Sequence, residues 1–99
     1  MNMHKTTEGS TLCIALEGRL DTTTAPLLEA ELEKSIANST RLIMDFDKLE
    51  YLSSAGLRVL LSAQKVMNKQ GEMVIRGVNE TIMEIFEVTG FIDILTIVV

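Results

Sequence analysis

The chain has 99 residues, 46% of them apolar and 23% charged, which excludes a disordered chain and fits one domain, residues 1–99, with an ordinary core that needs no disulfide or metal to hold it. Nine Lys and Arg stand against fourteen Asp and Glu, a net charge of −5, the wrong sign for a surface that must grip a phosphate backbone, so direct nucleic-acid binding is not expected. The longest unbroken apolar run, Leu12 to Leu16, spans five residues, far short of the ~20 that a membrane-crossing helix needs.

Met1 to Ser10 is polar, without the apolar stretch of a secretory leader, and Cys13 is the only cysteine; together they predict a cytoplasmic protein without disulfides. Thr11 to Leu16 is short, apolar and bounded by Glu8-Gly9-Ser10 and Gly18, the signature of a strand, and Met3 to Thr7 is placed to pair with it as a hairpin. Asp21-Thr22-Thr23-Thr24 is a cluster of N-cap residues, and Pro26 is tolerated in the first turn of the helix it opens. Ala25, Leu28, Leu32 and Ile36 step by three or four residues, which predicts a helix to about residue 37 with one inward stripe.

Arg41 to Phe46 reads as a strand, and its run Leu42-Ile43-Met44 suggests cover on both faces. A second helix begins near Ser53-Ser54, where Leu57, Val59, Leu60, Leu61, Ala63, Val66 and Met67 predict deep burial and Arg58, Lys65, Asn68 and Lys69 face solvent; Gln70-Gly71 ends it. Glu72 to Arg76 is the next strand. Asn79 then caps a short helix whose Ile82, Ile85, Phe86 and Thr89 share a face, Gly90 supplies its left-handed terminus, and Asp93 to Val98 closes the chain as a strand. Strands alternating with helices define an α/β domain: a mixed, largely parallel sheet of four to five strands covered by helices.

The residues offer little for catalysis. One His and one Cys cannot assemble a metal site; His4 is expected in a solvated tail and Cys13 as a small buried hydrophobe. No Gly-rich loop precedes a Lys-Ser or Lys-Thr pair, so no phosphate cradle is formed and no cofactor is implied. Asp45 and Asp47 are two apart at a strand end, a spacing worth weighing as an acid/base pair, but a polar strand end is the commoner reason for such a pair. A hydrolase built on Ser54 lacks a base, since His4 is the only histidine.

The informative stretch is Leu49-Glu-Tyr-Leu-Ser-Ser-Ala-Gly-Leu57. Two serines lie between a strand and a strongly apolar helix. Either can cap that helix, and a phosphoryl group there would meet free N–H groups and the positive end of the helix dipole, so a charge of about −1.5 to −2 can be added with little strain.

Taken together, Gly18-Arg-Leu-Asp21 with Thr24-Ala25, Leu42-Ile-Met-Asp45, Tyr51-Leu-Ser-Ser-Ala-Gly-Leu57, Gly71-Glu-Met-Val74, and Ile85-Phe86 with Gly90-Phe91 resemble the STAS domain and, within it, the bacterial anti-sigma factor antagonists. The resemblance runs over essentially the whole chain. It implies a phosphorylation-gated binding protein, not an enzyme: unphosphorylated, it captures an anti-sigma factor that is also a serine kinase and so frees the sigma factor; phosphorylation disables it, and a PP2C-type phosphatase restores it. By the family's offset from the helix-opening glycine, the acceptor is Ser54. The best-known members carry Asp before that serine and Ser or Thr after it, where this chain has Ser53 and Ala55. The resemblance also implies a partner-binding face of Asp21, Thr22, Ser53, Ser54, Gly56, Leu57 and Arg58, with Gly56 admitting another backbone. A STAS module that is never phosphorylated, serving as a scaffold or subunit of a transporter or lipid-trafficking assembly, is the alternative.

Overall fold

A computed structural model describes residues 1–98. Strand β1 (Asn2–Glu8) turns through Gly9 into β2 (Thr11–Leu20); helix α1 (Ala25–Ser35), strand β3 (Arg41–Leu52), helix α2 (Ser54–Gln70), strand β4 (Glu72–Arg76) and helix α3 (Glu80–Thr89) follow, and a 3-10 turn (Phe91–Asp93) leads to β5 (Ile97–Val98). The five strands lie in chain order, β1 antiparallel to β2 and the rest parallel. The fold is therefore the expected α/β domain with a mixed, mostly parallel sheet, and His4 sits in a strand opposite Ala15, not in a loose tail.

Parallel strands added side by side in one direction, each by a crossover of the same hand, receive all their helices on one face. Burial shows the result. Leu12, Ile14 and Leu16 of β2 and Leu42, Met44 and Phe46 of β3 are buried, and they form one core with Leu28 and Leu32 of α1, Leu57, Leu60 and Met67 of α2, and Ile82 and Phe86 of α3. The alternate residues Cys13, Ala15, Ile43 and Asp45 are only half-buried. The two-sided cover expected for Leu42-Ile43-Met44 is thus not found: the run is apolar throughout, but Ile43 points to the open side. Cys13 shares that side and is half-buried, not a core residue.

Three further expectations are corrected. Strand β3 does not leave the sheet after Phe46. Ala15 pairs with Asp45 and Glu17 with Lys48, so three residues of β3 oppose two of β2; a second shift follows, Gly18 pairing with Leu49 and Arg19 with Tyr51, and through these two irregularities the strand runs on to Leu52. The last strand is two residues, not six, because Phe91–Asp93 coils into the 3-10 turn. In α2, Val66 is 38% exposed, so the buried arc is narrower than predicted, and Gln64 takes a place in it. Gly71 ends α2 where a Cβ would collide with the Thr40 carbonyl, whose oxygen instead accepts from the Glu72 N–H at 3.0 Å.

Candidate functional site

Strands β2 and β3 finish side by side. Leu20 pairs with Leu52, and the Ser53 N–H donates to the Leu20 carbonyl at 2.9 Å, which sets the loop after β2 and the start of α2 against each other at neighbouring strand ends. The first brings Asp21 and Thr22, the second Ser53 and Ser54.

Asp21 organises its loop. Its Oδ1 accepts from the Thr23 N–H at 3.0 Å, the Thr24 N–H at 3.2 Å and the Thr23 hydroxyl at 2.8 Å, while its carbonyl accepts from the Ala25 N–H at 2.8 Å. Thr24 is the N-cap residue of α1 by position and makes no side-chain cap bond; its hydroxyl donates to the Arg19 carbonyl at 2.8 Å. The expected capping by Asp21 therefore acts one turn early, on the turn that precedes α1. The Thr23 hydroxyl, joined by the Thr23 and Thr24 N–H groups, holds the Asp21 carboxyl below its usual range, against a smaller opposing effect of desolvation.

The other carboxylate oxygen of Asp21 lies 3.9 Å from Arg19 Nε, and the Arg19 guanidinium sits 4.3 Å from the centroid of the Tyr51 ring. This cation–π stack is legible only from register, which pairs Arg19 with Tyr51; neither residue stands out in the sequence as a site residue.

Ser53 is the N-cap residue of α2 in an extended conformation, φ −95° and ψ 176°, and its carbonyl accepts from the Leu57 N–H at 3.0 Å. Its hydroxyl makes no cap bond; Oγ is enclosed and has no partner among the described residues. Ser54, the first residue of the helix, is exposed. Neither serine caps the helix with its side chain. Arg58 and Thr22 are also exposed, whereas Gly56 and Leu57 are buried. A Cβ on Gly56 would lie 2.6 Å from Leu52 Cδ1 and 2.9 Å from Leu20 Cγ, so the glycine makes room for two core side chains and not, as expected, for another backbone. Beside Ser54, Thr22, Pro26, Ala55, Arg58 and Val59 help to line a shallow cavity of ≈ 240 Å³ between the starts of α1 and α2.

Asp45 and Asp47 border one shallow cavity of ≈ 260 Å³ with His4, Glu17 and Lys48, but Asp45 is already engaged. The Asp45 carboxylate accepts from the Asp47 N–H at 3.0 Å, which fixes the bulge, and pairs with Arg76 at 3.4 Å. Among the described residues no three His, Cys, Asp or Glu are placed to hold a metal ion, and no helix is long and apolar enough to cross a membrane.

This one-sided α/β sheet, with a serine exposed where its third strand meets a buried helix, is the architecture of a known family: residues 2–98 match the family model of the STAS domain, and the chain belongs to that family. Its relatives include BtrV of Bordetella bronchiseptica, provisionally named an anti-sigma factor antagonist, 39% identical over 85 residues that cover 84% of this chain and 73% of the relative. The anti-sigma-B factor antagonist of Staphylococcus aureus is 30% identical over 97 residues, covering 96% and 90%. The phosphorylated form of the Bacillus cell fate determinant SpoIIAA has the same fold, with a TM-score of 0.78 at 19% identity over 99% of this chain and 92% of that one.

Proposed function

We propose that this chain is an anti-sigma factor antagonist whose unphosphorylated form binds an anti-sigma factor serine kinase and thereby frees a sigma factor. Ser54 is the residue phosphorylated, and a PP2C-type phosphatase returns the protein to its binding form. The observation that carries this reading is the exposure of Ser54 at the first residue of α2, beside the Asp21 loop at the adjoining strand end, in a chain whose relatives bear the antagonist name. Thr22 and Arg58, exposed on either side of the cavity between α1 and α2, complete the contact face, with Asp21 holding its loop in shape.

The switch is electrostatic. A phosphoryl dianion about 7 Å from a partner carboxylate is repelled by roughly 1–5 kcal/mol between the dielectric of water and that of a protein surface; each ~1.4 kcal/mol is tenfold in affinity. The helix start tolerates that charge because its N–H groups and dipole favour an anion. Incubation with the partner kinase and ATP, followed by peptide mass mapping, tests the assignment. Ser54 is expected to carry the phosphoryl group, Ser54→Ala to bind the kinase constitutively and Ser54→Asp to bind it more weakly. Modification of another residue, or none, overturns the assignment; in the second case the unphosphorylated scaffold is the better reading.

A further inference from the structure

The excess negative charge of the molecule is concentrated at one end of the sequence. Residues 77–99 contain Glu80, Glu84, Glu87 and Asp93 and no Lys or Arg, so four of the five net negative charges lie there. Among the described residues none of these carboxylates takes part in an ion pair; the four pairs in the structure join Lys5 to Glu31, Arg19 to Asp21, Arg41 to Glu72 and Arg76 to Asp45.

The same segment exposes apolar surface. Helix α3 buries Ile82 and Phe86 and turns its other side outward, where Thr81, Glu84, Ile85, Val88 and Thr89 line a shallow depression of ≈ 340 Å³. Val88 is 81% exposed, and the turn that follows adds Ile92 at 39% and Ile94 at 47%. The Thr89 hydroxyl is turned back to the Ile85 carbonyl at 2.6 Å, so it adds little polarity to the depression. Val88, Ile92 and Ile94 are three of the six large hydrophobic side chains exposed among the described residues, Leu27, Val66 and Val98 being the others; aliphatic side chains gathered in one segment mark an interaction site, and the carboxylates beside them, none ion-paired, define what fits it. An anionic lipid surface is repelled. A second copy of the chain is a poor match, since its cationic helix face, Arg58, Lys65 and Lys69 of α2, carries only Val66 as an exposed large hydrophobe.

We propose that the outer face of α3 and the turn after it form a docking groove for a basic amphipathic helix of another protein, the apolar side of that helix resting on Ile85, Val88 and Ile92 and its Lys or Arg side chains meeting Glu84, Glu87 and Asp93. Helices laid in grooves are read through such spaced apolar anchors, and the complementary charges supply orientation and rate. The groove uses none of the residues assigned to the Ser54 face and stands whether or not Ser54 is phosphorylated.

The test titrates the isotope-labelled full chain with an 18-residue amphipathic Leu/Lys helical peptide, with the same pattern in Leu/Glu, and with a scrambled Leu/Lys sequence, followed by amide chemical shifts. The Leu/Lys peptide is expected to shift residues 80–94 saturably and the other two to leave them in place. Val88→Ser combined with Ile92→Ser should weaken binding roughly tenfold or more, as the loss of two buried aliphatic anchors implies. Glu84→Lys combined with Glu87→Lys should reject the Leu/Lys peptide and admit the Leu/Glu one. These substitutions are at exposed positions, and the amide spectra of the free variants report that the fold is kept. The proposal is overturned if the scrambled peptide binds equally, if the shifts centre on Glu29 and Glu33 of α1, or if the serine substitutions leave affinity unchanged. Concentration-dependent shifts of α3 without peptide, matched by shifts at Lys65 and Lys69, overturn it in favour of self-association.

Discussion

At position 53 the hydroxyl is enclosed without a partner, while one residue later the Ser54 side chain stands in solvent. Backbone geometry makes the difference: Ser53 is extended as the chain leaves β3, and Ser54 already belongs to the helix. A hydroxyl that caps a helix contributes about 0.5–2 kcal/mol, but a buried one without a hydrogen bond contributes nothing and carries a desolvation cost. Ser53→Ala is therefore expected to leave the urea midpoint unchanged or to raise it; a loss of cap size would show that the hydroxyl finds a partner in solution. Asp21 behaves in the opposite sense. Its carboxylate is held by Thr23 and Thr24, and its folded pKa lies below the ordinary value of 3.8, so the stabilisation it supplies is complete above the unfolded value and is lost as the pH falls through the lowered folded one. The stability difference between the native chain and Asp21→Ala should stay constant between about pH 7 and 5 and shrink only in the acid range below the usual carboxylate value, which chemical denaturation at a series of pH values measures. The Asp21 and Ser54 positions are legible from the sequence because each belongs to a short motif beside a helix start. Arg19 over Tyr51 is not, because two residues on different strands meet only once the register is known.

Among the elements, those with strong periodicity and chemical punctuation are where the sequence places them. Asn79 illustrates why. Its Oδ1 accepts from the Ile82 N–H at 2.8 Å, and its Nδ2 donates to the Leu49 carbonyl at 2.9 Å, so one side chain both caps α3 and ties that helix to β3. Asn79→Ala removes both bonds and leaves the Leu49 carbonyl without that donor; a loss of about 1–2 kcal/mol is expected, read as a lower urea midpoint, whereas a loss of a few tenths would mean that water replaces the side chain. Gly90, with φ +80°, terminates the same helix as its sequence position indicates. The misread elements are those whose extent is decided by a neighbour. Asp47-Lys48 interrupts the apolar pattern of β3, yet the bulge opposite β2 absorbs the interruption and the strand continues. Residues 93–98 look strand-like throughout, but the ladder with the short strand β4 begins only at the Thr96 carbonyl, which accepts from the Ile75 N–H at 2.9 Å, and pairs Ile97 with Ile75 and Val98 with Arg76.

For the molecule as a whole, chain order determines which side of the sheet is dry. Because β2 to β5 are laid down in sequence and in one direction, the helices share one face, and apolar content alone cannot reveal this: Ile43 and Met44 are adjacent and both hydrophobic, yet Met44 is fully buried and Ile43 is only half-buried. On the open side, Ile43 stands in register with Cys13 and Val74, bracketed by the cross-strand pairs of Arg41 with Glu72 at 2.9 Å and Arg76 with Asp45 at 3.4 Å. Exposed pairs of this kind contribute at most ~1 kcal/mol each, but they hydrate the ends of an apolar strip and discourage a second sheet from stacking on it. The two neighbours should therefore respond very differently to truncation. Met44→Ala opens a cavity in the single core and is expected to cost about 2–5 kcal/mol. Ile43→Thr keeps the β-branched shape, exposes its hydroxyl to water and should cost less than ~1 kcal/mol. Urea denaturation with an unchanged m-value compares them directly. Equal losses at the two positions would require a cover on the open face, and the one-sided arrangement that puts α1, α2 and the exposed Ser54 in a single layer would then have to be abandoned.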